Sequence, residues 1–347
     1  MMKNRIIIGI ASLAMLFSCS NSEVTYPNFD YTTVYFANQY PIRTLELGED
    51  PLVDNSMDNE HKVKITATMG GVYNNNVDRL IDIDVDNDLL EGLYFDQSFG
   101  GGELYPMPVE YYELLEDDII IPAGNTLGGV TVQLKDAFFE DPLSISNAYV
   151  IPLVMTNVTG ADSILQGKPV VDNPNRCNVN HWEIAPKDYI LYVVKYVNPW
   201  HANYLRRGED IISDGTNTIT DIRHQEYIEK DEVVNMSTLS LKECILPITI
   251  YEDDNQTTRA VVPLKLVFDD DNNCIVESNS SDYNVTGSGK FVKKGEENSI
   301  GGNDKDALYL DYTVDLTGHG LTYTTKDTLV CRDRGVAPEY YTIQAVQ

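Results

Sequence analysis

Basic residues are scarce in this chain. Its 347 residues carry 25 Lys and Arg against 54 Asp and Glu, a net charge of −29. The shortage is not local: 9 basic face 27 acidic residues from Val24 to Lys195, and 14 face 26 from Tyr196 to Gln347. A negative field spread this evenly argues against nucleic acid, heparin-like polyanions and anionic lipid surfaces as partners. Neutral sugars, peptides and cations stay open, and so does solubility alone. Histidine and cysteine number only five each. No Cys-x-x-Cys occurs and the histidines do not cluster near the cysteines, so no metal or other cofactor is expected. Neither a Gly-x-Ser-x-Gly elbow nor a His-Glu-x-x-His pair is present. Past residue 19 no apolar run approaches the roughly 20 residues needed to cross a bilayer as a helix.

What is present begins with the leader. Lys3 and Arg5 precede an apolar stretch from Ile6 to Phe17, which meets Ser18-Cys19. This is the build of a secretory signal, too short to span a membrane. Cys19 after Leu16-Phe17-Ser18 resembles a bacterial lipobox, in which the first mature thiol takes a diacylglycerol; the alternative is an ordinary signal peptide with an incidental cysteine. Residues 1–18 are therefore read as signal peptide and 19–30 as a lipidated tether. Several acyl chains hold a protein to a bilayer far better than one.

The rest reads as all-β. Thr32–Phe36, His61–Thr68, Leu80–Asp86, Asp118–Gly124, Gly129–Leu134 and Ala148–Met155 alternate or run apolar between Gly, Pro, Asn and Asp turns. That spacing predicts an immunoglobulin-like β-sandwich over residues 31–195. Residues 166–180 read as a long connection, and Asp136–Pro142 as one helical turn. Longer strands follow, predicted over Thr220–Tyr227, Ser237–Tyr251, Ala260–Phe268, Asn273–Glu277, Asn284–Lys293, Ala307–Leu316 and Thr324–Arg332. Tight hairpins between them predict an up-and-down antiparallel barrel or calycin-like sheet over residues 196–347. Cys177, Cys244, Cys274 and Cys331 are left as free thiols or disulfide partners; Cys244 and Cys274 fall in neighbouring strands.

Two places invite a ligand. Gly92–Tyr112 is a glycine-rich loop carrying aromatics, of which Phe99 and Tyr105 are expected to be exposed. Trp200, His201, Tyr204, Arg206 and Arg207 combine rings that stack on sugar faces with groups that hydrogen-bond to hydroxyls. The glycan-binding candidates are thus Phe99, Tyr105, Trp200, Tyr204 and Arg206, and no residue is assigned to catalysis or metal. The structural alternative for Trp200 is a plug at the closed end of the barrel, covered by Arg206 or Arg207. Asp269, Asp271 and Asn273 look like the start of a calcium loop. However, Cys274 and Ser280 stand where an EF-hand needs Gly and Glu, so a hairpin turn is expected.

Several motifs together resemble a family. The lipobox, Tyr26-Pro27 before Thr33–Phe36, Pro108-x-x-Tyr111-Tyr112, Ile121–Gly124, Tyr149–Leu153 and Asn198-Pro-Trp-His201 with Leu205–Gly208 look like the two-domain lipoproteins of Bacteroidetes glycan-utilisation loci. In that family an immunoglobulin-like domain, also found before some family-18 glycosidases, precedes a lipocalin-like one. The resemblance implies an outer-membrane lipoprotein on the cell surface that binds glycan beside a SusC/SusD-type importer. Ser20-Asn-Ser-Glu23 departs from the acidic cluster that surface-exported members often carry, which keeps the periplasmic leaflet open. An adhesin-like or accessory subunit binding another protein of the locus is the second reading, and a glycoside hydrolase of unrecognised type the third. Against the third, Asp84-Val-Asp-Asn-Asp88 is the nearest match to the Asp-x-x-Asp-x-Asp-x-Glu strand of family-18 enzymes. It lacks both the first Asp and the final Glu that would protonate the leaving oxygen. Asp162-Ser163-Ile164 and Asp327-Thr328-Leu329 match a short Bacteroides O-glycosylation sequon.

Overall fold

The computed structural model describes residues 29–50, 53–251 and 257–345. The leader and Cys19 lie outside the described residues. The first half is a two-sheet sandwich. One sheet runs in the order Ser163–Ile164, Thr33–Tyr35, Lys62–Gly70, Leu127–Leu134, Tyr112–Leu114. The other runs Glu339–Tyr340, Pro41–Glu46, Tyr189–Val197, Tyr149–Thr159, Arg79–Val85, Asp118–Ile121, with Tyr105–Pro106 paired to Tyr149–Thr159.

Alternation does what a two-residue period requires. In Lys62–Gly70, Val63, Ile65, Ala67 and Met69 are buried, and they meet Ile81, Ile119, Ile151, Leu153 and Val194 of the facing sheet in one core. The Asp-rich strand Arg79–Val85 keeps Ile81 buried, but its alternation fades toward an exposed Val85. The helical turn appears as Asp136–Glu140, which buries Phe138 and Phe139. Among the described residues three strand pairings are parallel, Thr33–Tyr35 with Ser163–Ile164, Pro41–Glu46 with Tyr189–Val197 and Tyr105–Pro106 with Tyr149–Thr159, an arrangement the strand pattern does not announce.

The second half is a closed barrel of eight antiparallel strands. In order these are Ala202–Ser213, Glu232–Thr238, Glu243–Tyr251, Thr258–Phe268, Asn273–Ser278, Asn284–Glu296, Lys305–Leu316 and Leu321–Asp333; the last pairs back onto the first. The predicted strand Ser237–Tyr251 is in fact broken. Asn198 donates from Nδ2 to the carbonyls of Ser240 and Glu243, at 2.9 and 3.0 Å, and holds a hairpin there. Thr218–Arg223 pairs only with the distal half of Ala202–Ser213 and extends the wall at that end.

Past Asp333 the chain leaves the barrel. Glu339–Tyr340 joins the sandwich sheet, Ile343–Ala345 pairs with Leu93–Phe95, and Tyr341 is buried beside Tyr40 and Phe95. At the junction Arg334 is buried and donates to the carbonyls of Leu47, Asn198 and His201 at 3.0, 2.9 and 2.8 Å.

Candidate functional site

The inward face of Ala202–Ser213 carries Ala202, Tyr204, Arg206, Gly208, Asp210 and Ile212. The first two join the apolar core near the sandwich, and the next four change its character. Register explains the change. Arg223, Gly208 and Asp327 lie side by side on three adjacent strands, and so do Asp221, Asp210 and Thr325, then Ile219, Ile212 and Tyr323. A Cβ on Gly208 would stand 2.2 Å from the Lys326 carbonyl oxygen and 2.6 Å from Asp327 Oδ1. Glycine there leaves the opening through which Arg223 reaches past the middle strand to Asp327.

The result is a layer of buried charge across the barrel. Arg206 Nε donates to Asp327 Oδ2 at 2.9 Å, Nη1 to Glu232 at 3.2 Å and Nη2 to the Tyr312 hydroxyl at 3.2 Å. Tyr312 in turn donates to Asp327 Oδ2 at 2.8 Å. Arg223 donates to Asp327 Oδ1 at 2.7 Å and grips Asp210 through Nε and Nη2 at 2.6 and 3.1 Å, while Thr325 Oγ1 donates to Asp210 at 2.6 Å. Burial pushes the Asp327 carboxyl upward, but the Arg206 and Arg223 guanidiniums more than reverse this and hold it below the usual carboxylate range.

Above this layer the barrel opens at the end away from the sandwich. A cavity of about 370 Å³ lies there, lined on its polar side by Arg206, Asp210, Asp221, Arg223 and Thr325. Ile212, Ile219, Ile248, Ile250, Tyr251 and Tyr323 supply its apolar and aromatic walls. A second hollow of about 300 Å³ lies at the junction with the sandwich, between Glu49, Lys294, Asp306 and Arg334. Its polar groups already serve the junction: Arg334 is spent on four carbonyls, the fourth that of Glu49 at 3.5 Å, Lys293 pairs with Glu49 at 2.7 Å, and the Lys294 amide bonds Asp306. The barrel mouth is the better-formed site, because its fixed polar groups converge on open volume beside aromatic surface.

The five sequence candidates do not come together. Trp200 is 6% exposed and Tyr204 1%, both in the closed end of the barrel, with the Tyr204 hydroxyl donating to the Trp200 carbonyl at 2.7 Å. Arg206 is 4% exposed and reaches the mouth only as part of its floor. Tyr105 and Phe99 belong to the sandwich and do not line the mouth. Tyr105 is 42% exposed, whereas Phe99 is half-buried against the cluster around Phe95 and Tyr341. His201 sits at the junction and accepts from the Thr238 amide through Nδ1 at 3.2 Å; Arg207 is held by Asp231 at 2.6 Å.

Sequence reading missed Asp210, Arg223, Tyr251, Tyr323 and Thr325. The available signal was phase: Arg206, Gly208 and Asp210 alternate in step with Ala202 and Tyr204, so they share the core-facing side. Asp327 of the second sequon is buried in the charged layer. Asp269 accepts from the Asp271 and Asn273 amides and from the Asn273 side chain, which is hairpin-turn geometry. The four described cysteines are free thiols, and burial pushes the Cys244 thiol up to about 12.

Comparison with known proteins adds context. Residues 199–335 match the model of a domain of unknown function, DUF5627, and residues 26–162 match that of an N-terminal domain family. No curated protein matches the chain. A solved Bacteroides ovatus protein of unknown function is 50% identical and superposes with a TM-score of 0.85, over 92% of this chain and 100% of its own. A second Bacteroides ovatus protein of unknown function is 13% identical with a TM-score of 0.39, covering 90% of this chain and 99% of its own. An auxiliary nutrient binding protein of Bacteroides thetaiotaomicron is 12% identical with a TM-score of 0.36, covering 83% and 90%.

Proposed function

We propose that this chain, which belongs to the family of the 50%-identical Bacteroides ovatus protein, is a non-catalytic, lipid-anchored glycan-binding protein of the outer membrane, working beside a SusC/SusD-type importer. The observation that carries the binding role is the barrel mouth. Saccharides need apolar or aromatic faces for their C–H surfaces and fixed donors and acceptors for their hydroxyls. Tyr251, Tyr323 and four isoleucines supply the first, Asp210, Arg223 and Thr325 the second.

The charged floor beneath the mouth argues against a catalytic acid there. A glycosidase needs one carboxyl protonated at the start of the reaction. Asp327, at the centre of the charged floor, is held ionised by two guanidiniums. The anchoring role rests on the leader and Cys19, and the partner role on the family resemblance of the motifs.

Affinity electrophoresis of the full chain in gels cast with xylan, mannan, α-glucan or β-glucan tests the reading. Retardation by at least one polymer, without release of reducing sugar, is expected. No retardation by any of them favours the accessory-subunit reading, and reducing-sugar release would make the protein a hydrolase.

A further inference from the structure

We infer that the barrel mouth takes the end of a neutral glycan, one or two sugar rings deep, rather than an internal stretch of polymer. This rests on the glycan-binding reading and specifies what that site recognises.

Three observations carry it. The first is shape. The mouth is blind: the Arg206–Asp327–Tyr312 layer closes it, and the apolar core with Trp200 and Tyr204 fills the barrel beneath. A polymer cannot thread such a hollow, so what enters must be a chain end or a short branch. The second is size. About 370 Å³ lies near the lower bound for small-molecule sites, roughly 300–1,000 Å³, which leaves room for one or two rings.

The third is charge. The lining holds two cations, Arg206 and Arg223, against two anions, Asp210 and Asp221. Asp327 and Glu232 stand directly behind Arg206, so the guanidiniums are already neutralised. No positive surplus remains for a uronate or sulfate, and the chain as a whole repels one. What remains is hydrogen bonding. Asp210 Oδ1 accepts from Thr325 and Arg223 and Oδ2 from Arg223 Nε alone, while a carboxylate offers about four acceptor sites. One acceptor position on Oδ2 is therefore free for a sugar hydroxyl, held rigidly by the groups that fill the others.

Isothermal titration of the full chain with linear oligosaccharides of one to six units from xylan, mannan, α-glucan and β-glucan, alongside trigalacturonate, tests this. In the matching series affinity should rise from the monosaccharide to the disaccharide and then stay within about twofold. Partial hydrolysis of the matching polymer at constant mass should raise its competition in proportion to the new ends. Asp210→Asn should weaken binding roughly tenfold through the lost charged acceptor. Tyr251→Ala, at an exposed rim position where folding is not at stake, should weaken it severalfold. Affinity that climbs steadily to the hexasaccharide, equal competition by intact and hydrolysed polymer, tighter binding of trigalacturonate, or full affinity in a folded Tyr251→Ala chain would each overturn the inference while leaving glycan binding intact. Binding of no saccharide at all would instead remove the reading on which it rests.

Discussion

Trp200 lies flat against Phe268, ring centroids 4.0 Å apart and planes within 6°, with the indole Nε1 donating to Asn272 at 3.1 Å. This stack fills the barrel end nearest the sandwich. It also separates two roles that aromatics play here: a ring stacked on another ring inside a core has no free face for a sugar. Trp200→Ala should therefore cost about 3–5 kcal/mol of stability, read by urea unfolding, while saccharide affinity per folded molecule stays unchanged. A selective loss of affinity with stability retained would return Trp200 to the binding site.

Asp327 is expected to govern the acid limb of stability. Its folded pKa is depressed, so its contribution is full above the unfolded value near 4 and is lost as pH falls through the lower folded value. Unfolding free energy measured from pH 6 to pH 2 should drop below about pH 4. Asp327→Asn should cost about 3–5 kcal/mol at pH 7, because it leaves Arg206 and Arg223 buried with less counter-charge, and should flatten that limb.

His201 should act at milder pH. Burial lowers its pKa to about 4, with Arg334 and Lys195 adding to the effect, and its Nδ1 is needed unprotonated to accept the Thr238 amide. Between about 6.5 and about 4 the unfolded chain binds the proton that the folded chain refuses. Stability should thus decline by about 1–3 kcal/mol as pH falls through that window and level off below it. In His201→Gln the decline between pH 7 and pH 4.5 should shrink; an unchanged slope would assign it to other groups.

Arg334 ties the barrel to the sandwich through four backbone carbonyls. Arg334→Met should leave these buried acceptors short of a donor, at about 1–3 kcal/mol. The weakened junction should then unfold in two calorimetric steps instead of one. A single sharp transition at the original temperature would show that the returning C-terminal strands hold the halves together unaided.

Much of the architecture was legible because alternation is a strong signal. Lys62–Gly70, Thr258–Phe268 and Lys305–Leu316 bury every second residue along most of their length, and the hairpins between barrel strands are marked by Asp, Asn and Gly. The break at Ser240 was hidden because it depends on Asn198, more than forty positions upstream. The return of Glu339–Tyr340 to the sandwich was hidden for a similar reason: a two-residue strand carries no period of its own.

The site was less legible than the fold. Aromatics drew attention to Trp200 and Tyr204, which serve packing. Of the charged residues of the mouth only Arg206 was singled out, because Asp210, Asp221 and Arg223 belong to no motif. Arg206, Arg223, Glu232, Tyr312 and Asp327 acquire their meaning only when barrel closure brings distant strands into register.

Whether a saccharide end sits in the barrel mouth is read out by a crystal structure of the chain soaked with the disaccharide selected by titration. A sugar ring is expected within hydrogen-bonding reach of Asp210 or Arg223 and against Tyr251. A sugar seated instead on the loop of Phe99 and Tyr105, with none in the mouth, would contradict it.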